Sequence, residues 1–139
     1  MQRGHTVDLI AHFQRARNAI ALKPGQVLFS EGDPGTSMYV LVSGTASVSL
    51  GNEVLEVAKP GALLGEMALV DSSSRSATVI AGSACRVISI DRSQFETLVR
   101  ESPEFASHVM TVMAHRLRRM NERLKDALGE LSIRGRRPK

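Results

Sequence analysis

Between Ala19 and Asp91, apolar and polar positions alternate in runs of four to eight residues, each closed by Gly, Pro, Asn or Asp. Such period-two alternation sends successive side chains to opposite faces of a strand. Met38, Val40 and Val42 take turns with Tyr39, Leu41 and Ser43, and Ala46, Val48 and Leu50 with small or polar neighbours. Strands are therefore predicted over Val27–Ser30, Ser37–Val42, Thr45–Leu50, Glu53–Val57, Ser76–Ala81 and Cys85–Ile90. The turns between them include Lys23-Pro24-Gly25, Glu31-Gly32-Asp33-Pro34-Gly35, Ser43-Gly44, Lys59-Pro60-Gly61 and Gly82-Ser83, with Gly51-Asn52 suited to a tight hairpin. Many short strands at this spacing predict a sandwich, barrel or roll.

Outside that stretch the period lengthens. Thr6 is a cap for a short helix to Asn18, with Val7, Ile10, Phe13 and Ala16 on one face. Asp91 caps a second helix over Ser93–Arg100, and Ser102 with Pro103 opens a much longer one. Its stripe of Ala106, Met110, Met113, Leu117, Met120, Leu124, Ala127 and Leu131 steps by four and three in turn, a heptad seam. Gly135 and Arg136-Arg137-Pro138-Lys139 close it. The order is helix, β-roll or barrel, then helices at one end.

Composition narrows the function class. The 139 residues suit one domain, and a 42% hydrophobic, 23% charged chain is ordinary for a globular protein. No apolar run reaches the ~20 residues a membrane span needs, and the N-terminus lacks a secretion signal, so a cytoplasmic protein without membrane attachment is expected. Cys85 is the single cysteine and reads as a small buried hydrophobe, which leaves no disulfide and no cysteine metal site. His5, His12, His108 and His115 do not cluster, and phosphate-loop, paired-His zinc and Gly-x-Ser-x-Gly motifs are missing. Neither an enzyme nor a metal or organic cofactor is expected. Nine basic residues and three acids between Arg116 and Lys139 give that segment +6, against +4 for the whole chain. Such a tail can attract nucleic acid or acidic lipid, and more often it is a solvated helix face.

One stretch breaks the strand pattern. Pro60-Gly61-Ala62-Leu63-Leu64-Gly65-Glu66-Met67-Ala68-Leu69-Val70 leads through Asp71-Ser72-Ser73-Ser74 to Arg75-Ser76-Ala77-Thr78-Val79. A helical turn over Glu66–Leu69 leaves backbone N–H groups without intrahelical partners, an arrangement that attracts anions. Gly65 lets an anion approach the backbone, Ala68 adds little bulk, and Arg75 can grip phosphate oxygens with two prongs. The bland readings are a first-turn Glu66 favoured by the helix dipole and a surface Arg75.

Gly65-Glu66-Met67-Ala68-Leu69 and Arg75-Ser76-Ala77 match both halves of a longer motif, Phe-Gly-Glu-hydrophobic-Ala-Leu, a variable loop, then Arg-(Ser/Thr/Ala)-Ala. The segment resembles the phosphate-binding cassette of the cyclic nucleotide-binding domain family, which includes the catabolite activator protein, protein kinase A regulatory subunits and cyclic nucleotide-gated channels. Val27-Leu28-Phe29-Ser30-Glu31-Gly32-Asp33 and Met38-Tyr39-Val40-Leu41-Val42-Ser43-Gly44 look like the family's early roll strands, so the resemblance covers nearly the whole chain. Leu64 stands where Phe is frequent, and the loop from Glu66 to Arg75 has the kinase and channel length.

The resemblance implies an α+β fold: an antiparallel, jelly-roll-like β-roll with a short N-terminal helix, a cassette helix and two C-terminal helices. As one domain this gives a helix over 1–18, a roll over 19–91 with its cassette at 60–79, hinge and lid helices over 92–132 and a basic tail at 133–139. Leu64, Gly65, Glu66, Met67, Ala68, Arg75, Ser76 and Ala77 are then ligand-binding. The phosphate rests on backbone N–H groups around Met67, Ala68 and Ala77, Arg75 neutralises it, and Glu66 accepts the ribose 2′-hydroxyl. Neither Glu66 nor Arg75 needs a core position. Arg116, Arg119, Asn121 and Arg123 on the long helix are candidates to cap the base.

The expected function is a cyclic AMP receptor, with cyclic GMP the second ligand, which shifts its C-terminal helix and signals to a separate effector protein. A homodimer through 117–131 would be weak, its Leu and Met seam crowded by arginines. The alternatives are an excised channel or kinase domain, a transcription regulator lacking its DNA-binding domain, and a degenerate interaction module. Eight residues after Leu131 leave no room for a helix-turn-helix, so sequence-specific DNA binding is not expected.

Overall fold

The computed structural model describes residues 19–71 and 73–135. The elements over that span are β1 (Ala19–Leu22), β2 (Val27–Phe29), β3 (Ser37–Ser43), β4 (Ala46–Leu50), β5 (Glu53–Ala58), β6 (Leu63–Leu64), α1 (Met67–Asp71), β7 (Thr78–Ala81), β8 (Cys85–Asp91), α2 (Arg92–Glu101) and α3 (Pro103–Gly135). The helix expected over Thr6–Asn18 and the basic end Arg136–Lys139 lie outside the described residues.

The strands form two antiparallel four-stranded sheets, ordered β1-β8-β3-β6 and β2-β7-β4-β5. Each sheet draws its strands from distant parts of the chain, so the polypeptide winds back and forth between the two as a roll. Leu22, Phe29, Leu41, Ala46, Ala58, Leu64, Val79, Ala81, Cys85 and Val87 come from both sheets and form one buried cluster. Burial pushes the Cys85 thiol up from its ordinary range, in keeping with a small apolar side chain rather than a reactive one. In β3 the alternation is incomplete: Leu41 is buried along with Met38, Val40 and Val42. This strand is interior, flanked by β8 and β6, and its centre has no solvent face.

Two strands were not predicted. Ala19–Leu22 is a short unbroken apolar run, whose periodicity does not distinguish strand from helix, and pairing with β8 decides it. Leu63–Leu64 is too short for any period and is extended because it pairs with Tyr39 and Val40 of β3.

The helix signals are realised at atomic detail. The Asp91 carboxylate accepts the Gln94 N–H at 2.8 Å while the Gln94 side chain accepts the Asp91 N–H at 2.9 Å, a closed capping box at the start of α2. The Ser102 hydroxyl accepts the Phe105 N–H at 3.2 Å at the start of α3. Phe105 is fully buried and meets Phe95 edge-on, with centroids 5.9 Å apart.

The chain divides into two compact units, the first running to Ala106 and the second starting at Ser107. The second contains the body of α3, on which Met110, Leu117, Met120, Leu124 and Leu131 of the heptad stripe are exposed. Among the described residues, no helix is long and apolar enough to cross a membrane.

Candidate functional site

The site begins where β6 ends. Leu63 and Leu64 are buried, the chain turns at Gly65 with φ of +74°, and α1 follows at once. Left-handed backbone of this kind favours glycine. In the turn, the Ala68 N–H donates to the Gly65 carbonyl at 3.3 Å and the Leu69 N–H to the Glu66 carbonyl at 3.0 Å. Ala68 and Leu69 are buried, as is Leu64.

After α1 the chain returns past the loop that joins β2 to β3. The Arg75 N–H donates to the Asp33 carbonyl and the Gly32 N–H to the Arg75 carbonyl, both at 2.8 Å. Two backbone bonds therefore fasten Arg75 to this loop before its side chain is considered.

That side chain is the unusual feature. Arg75 is only 6% exposed. Its guanidinium carbon lies 4.2 Å from the centroid of the Phe29 ring and 5.8 Å from that of Tyr39. The two rings stack, with centroids 6.1 Å apart and planes inclined by 26°. Nη1 donates to the Gly65 carbonyl at 3.2 Å. Nη1 also stands against the place a Cβ on Gly65 would take. Nε is buried and has no hydrogen-bond partner among the described residues. A buried cation is costly unless matched by charge and hydrogen bonds. Ring faces and one carbonyl hold the group in place, but they supply no counter-charge. The edge of the fork that carries Nε thus holds a buried donor with no acceptor among the described residues.

Among the described residues, the buried charged side chains are Glu66, at 3% exposure, and Arg75. This corrects the expectation that neither needs a core position: the roll encloses both. Leu64 and Ala68 are buried, Gly65 and Ala77 are half-buried, and Met67 and Ser76 are exposed. The cassette thus gathers buried and open positions within one short segment. Arg116, Arg119, Asn121 and Arg123 lie on α3, in the second unit.

Sequence reasoning missed Phe29, Tyr39 and Gly35, which surround Arg75 from β2, β3 and their loop. One signal was present: the chain has four Phe, one Tyr and no Trp, and two of these few rings meet on one arginine.

Residues 19–102 match the family model described as the cyclic nucleotide-binding domain. The chain is 34% identical over 119 residues to the cyclic AMP receptor protein of Thermus thermophilus, covering 81% of this chain and 53% of that protein. It is 38% identical over 98 residues to a cyclic nucleotide-gated potassium channel of Mesorhizobium japonicum, covering 70% of this chain and 27% of the channel. The crystal structure of the Thermus thermophilus catabolite activator protein superposes with a TM-score of 0.72 at 27% identity, over 92% of this chain and 61% of that one. The chain spans about half the length of the receptor and about a quarter of the channel. With the fold, the cassette and the matched span in agreement, the chain belongs to the cyclic nucleotide-binding domain family.

Proposed function

We propose that the chain is a receptor for a cyclic nucleotide, cyclic AMP first, and that it signals by moving its C-terminal helix rather than by catalysis. The observation that carries this reading is the buried, partnerless Nε of Arg75, held on Phe29 beside Gly65. A cyclic phosphodiester has one negative charge and matches one guanidinium. Two of its oxygens meet the free edge of the fork. The N–H groups around Met67, Ala68 and Ala77 complete the cradle. The Ala68 N–H leaves a long 3.3 Å bond to do so. Glu66 accepts the ribose 2′-hydroxyl, a buried arrangement that rejects analogues lacking it. Arg116, Arg119, Asn121 or Arg123 meets the base when α3 closes, and a separate effector reads the change.

Cyclic GMP is the second reading. Ser76, next to Arg75 and exposed, offers a hydroxyl that suits a guanine amino group. Thermal melting separates the ligands: one that binds only the native state adds about 2.7 kcal/mol at one hundred times its dissociation constant. Cyclic AMP is expected to raise the melting temperature more than cyclic GMP does, and linear AMP to have little effect. A melting temperature that is unchanged in millimolar cyclic AMP and cyclic GMP contradicts the proposal.

A further inference from the structure

Gly35 lies in the loop between β2 and β3, outside the cassette. A Cβ built on it would stand 2.6 Å from Nε and 2.7 Å from Cζ of Arg75, and 2.9 Å from Cβ of Ala68. Unlike Gly65, Gly35 is not in left-handed backbone, so its conformation is open to other residues. What excludes a side chain there is room, and the Arg75 guanidinium and the Ala68 methyl occupy that room.

We infer that Gly35 is a positioning residue for the anion site, setting where the Arg75 guanidinium can lie; this rests on the ligand reading above. The guanidinium has three neighbours that define its place: the Phe29 ring on one face, Gly65 against Nη1 and Gly35 against Nε. The loop that carries Gly35 is fastened to the backbone of Arg75 by the bonds from Gly32 and to Asp33. It is closed on itself as well, because the Asp33 carboxylate accepts the Ser30 N–H at 3.1 Å and the Asp33 N–H donates to the Ser30 carbonyl at 3.0 Å. A side chain at position 35 therefore meets a braced loop on one side and, on the other, the Ala68 methyl and the flexible end of Arg75, of which the arginine end is the easier to displace. It slides off Phe29, loses the Gly65 carbonyl and carries its free edge away from the phosphate.

Gly35→Ala and Gly35→Val are compared with the parent by calorimetric titration with cyclic AMP, each also in the Arg75→Ala background. Gly35→Val is expected to weaken binding by about tenfold or more, by the cost of a disturbed charge contact. Gly35→Ala should weaken it less, and neither should weaken it further once Arg75 is gone. A second readout needs no ligand. Tyr39 is the only tyrosine in a chain without tryptophan, so its near-ultraviolet circular dichroism reports the guanidinium beside it. Both Gly35 variants should shift that signal in the direction Arg75→Ala shifts it. If Gly35→Val, or Gly35→Ala should Val prevent folding, leaves both the affinity within twofold and the tyrosine signal unchanged, the inference is overturned. If the parent binds no cyclic nucleotide while the tyrosine signal shifts as expected, the ligand reading falls and the placement of Arg75 by Gly35 stands.

Discussion

Arg75 has two opposing effects at the scale of one residue. Without ligand, its stacking on Phe29 and its bond to the Gly65 carbonyl offset the desolvation of a buried cation whose Nε has no partner. Arg75→Ala should consequently shift unfolding free energy by no more than ~1 kcal/mol, because the removed stabilising and destabilising contributions are similar in size. Its effect on cyclic AMP binding should be far larger, roughly 2–4 kcal/mol, since a partly buried phosphate loses its charged partner. Urea denaturation and ligand titration of the same variant separate the two, and equal losses in both would identify Arg75 as merely structural. Glu66→Gln keeps shape and removes charge, so a weaker loss of about 1.5 kcal/mol in binding is expected from the hydroxyl contact. The resemblance of one short segment to the family's cassette singled out Glu66 and Arg75 in the sequence, while their burial is visible only in the fold. Phe29, Tyr39 and Gly35 were hidden for the opposite reason. They reach Arg75 only after strand pairing has folded distant segments together, and no local periodicity encodes a ring beneath a guanidinium.

Helices and strands differ in how much of themselves is local. Asp91 and Gln94 cap α2 with residues three apart, and the box was half visible in the sequence as a cap-like aspartate. Asp91→Ala removes the acceptor for the Gln94 N–H and should lower unfolding free energy by about 1 kcal/mol, read from a urea midpoint shift at constant slope. By contrast, β1 and β6 are defined by their partners on β8 and β3, which explains why neither was legible from its own residues. The long helix was legible as a heptad stripe, of which Met110, Leu117, Met120, Leu124 and Leu131 are exposed on the second unit. If this helix serves as the lid, amide exchange from Leu117 to Leu131 should slow when cyclic AMP is added. Strong protection that is equal with and without nucleotide would mean a fixed helix and would exclude the lid.

For the whole molecule, alternation predicted a roll but did not specify its order. The pairing β1-β8-β3-β6 and β2-β7-β4-β5 joins strands that are not neighbours in sequence, and pairings of that kind carry no local signature. Their consequence is spatial. The loop after β2, the turn after β6 and the segment before β7 converge on one buried arginine. The family match over residues 19–102 covers all three of those segments. The central claim is that this convergence receives a cyclic nucleotide phosphate through Arg75, and calorimetric titration of the parent chain and Arg75→Ala with cyclic AMP tests it most directly. The account predicts one site per chain with a dissociation constant in the micromolar range or below, and a loss of roughly 2–4 kcal/mol in the variant. No binding heat by the parent up to millimolar nucleotide at two temperatures, or equal affinity in parent and variant, would contradict it.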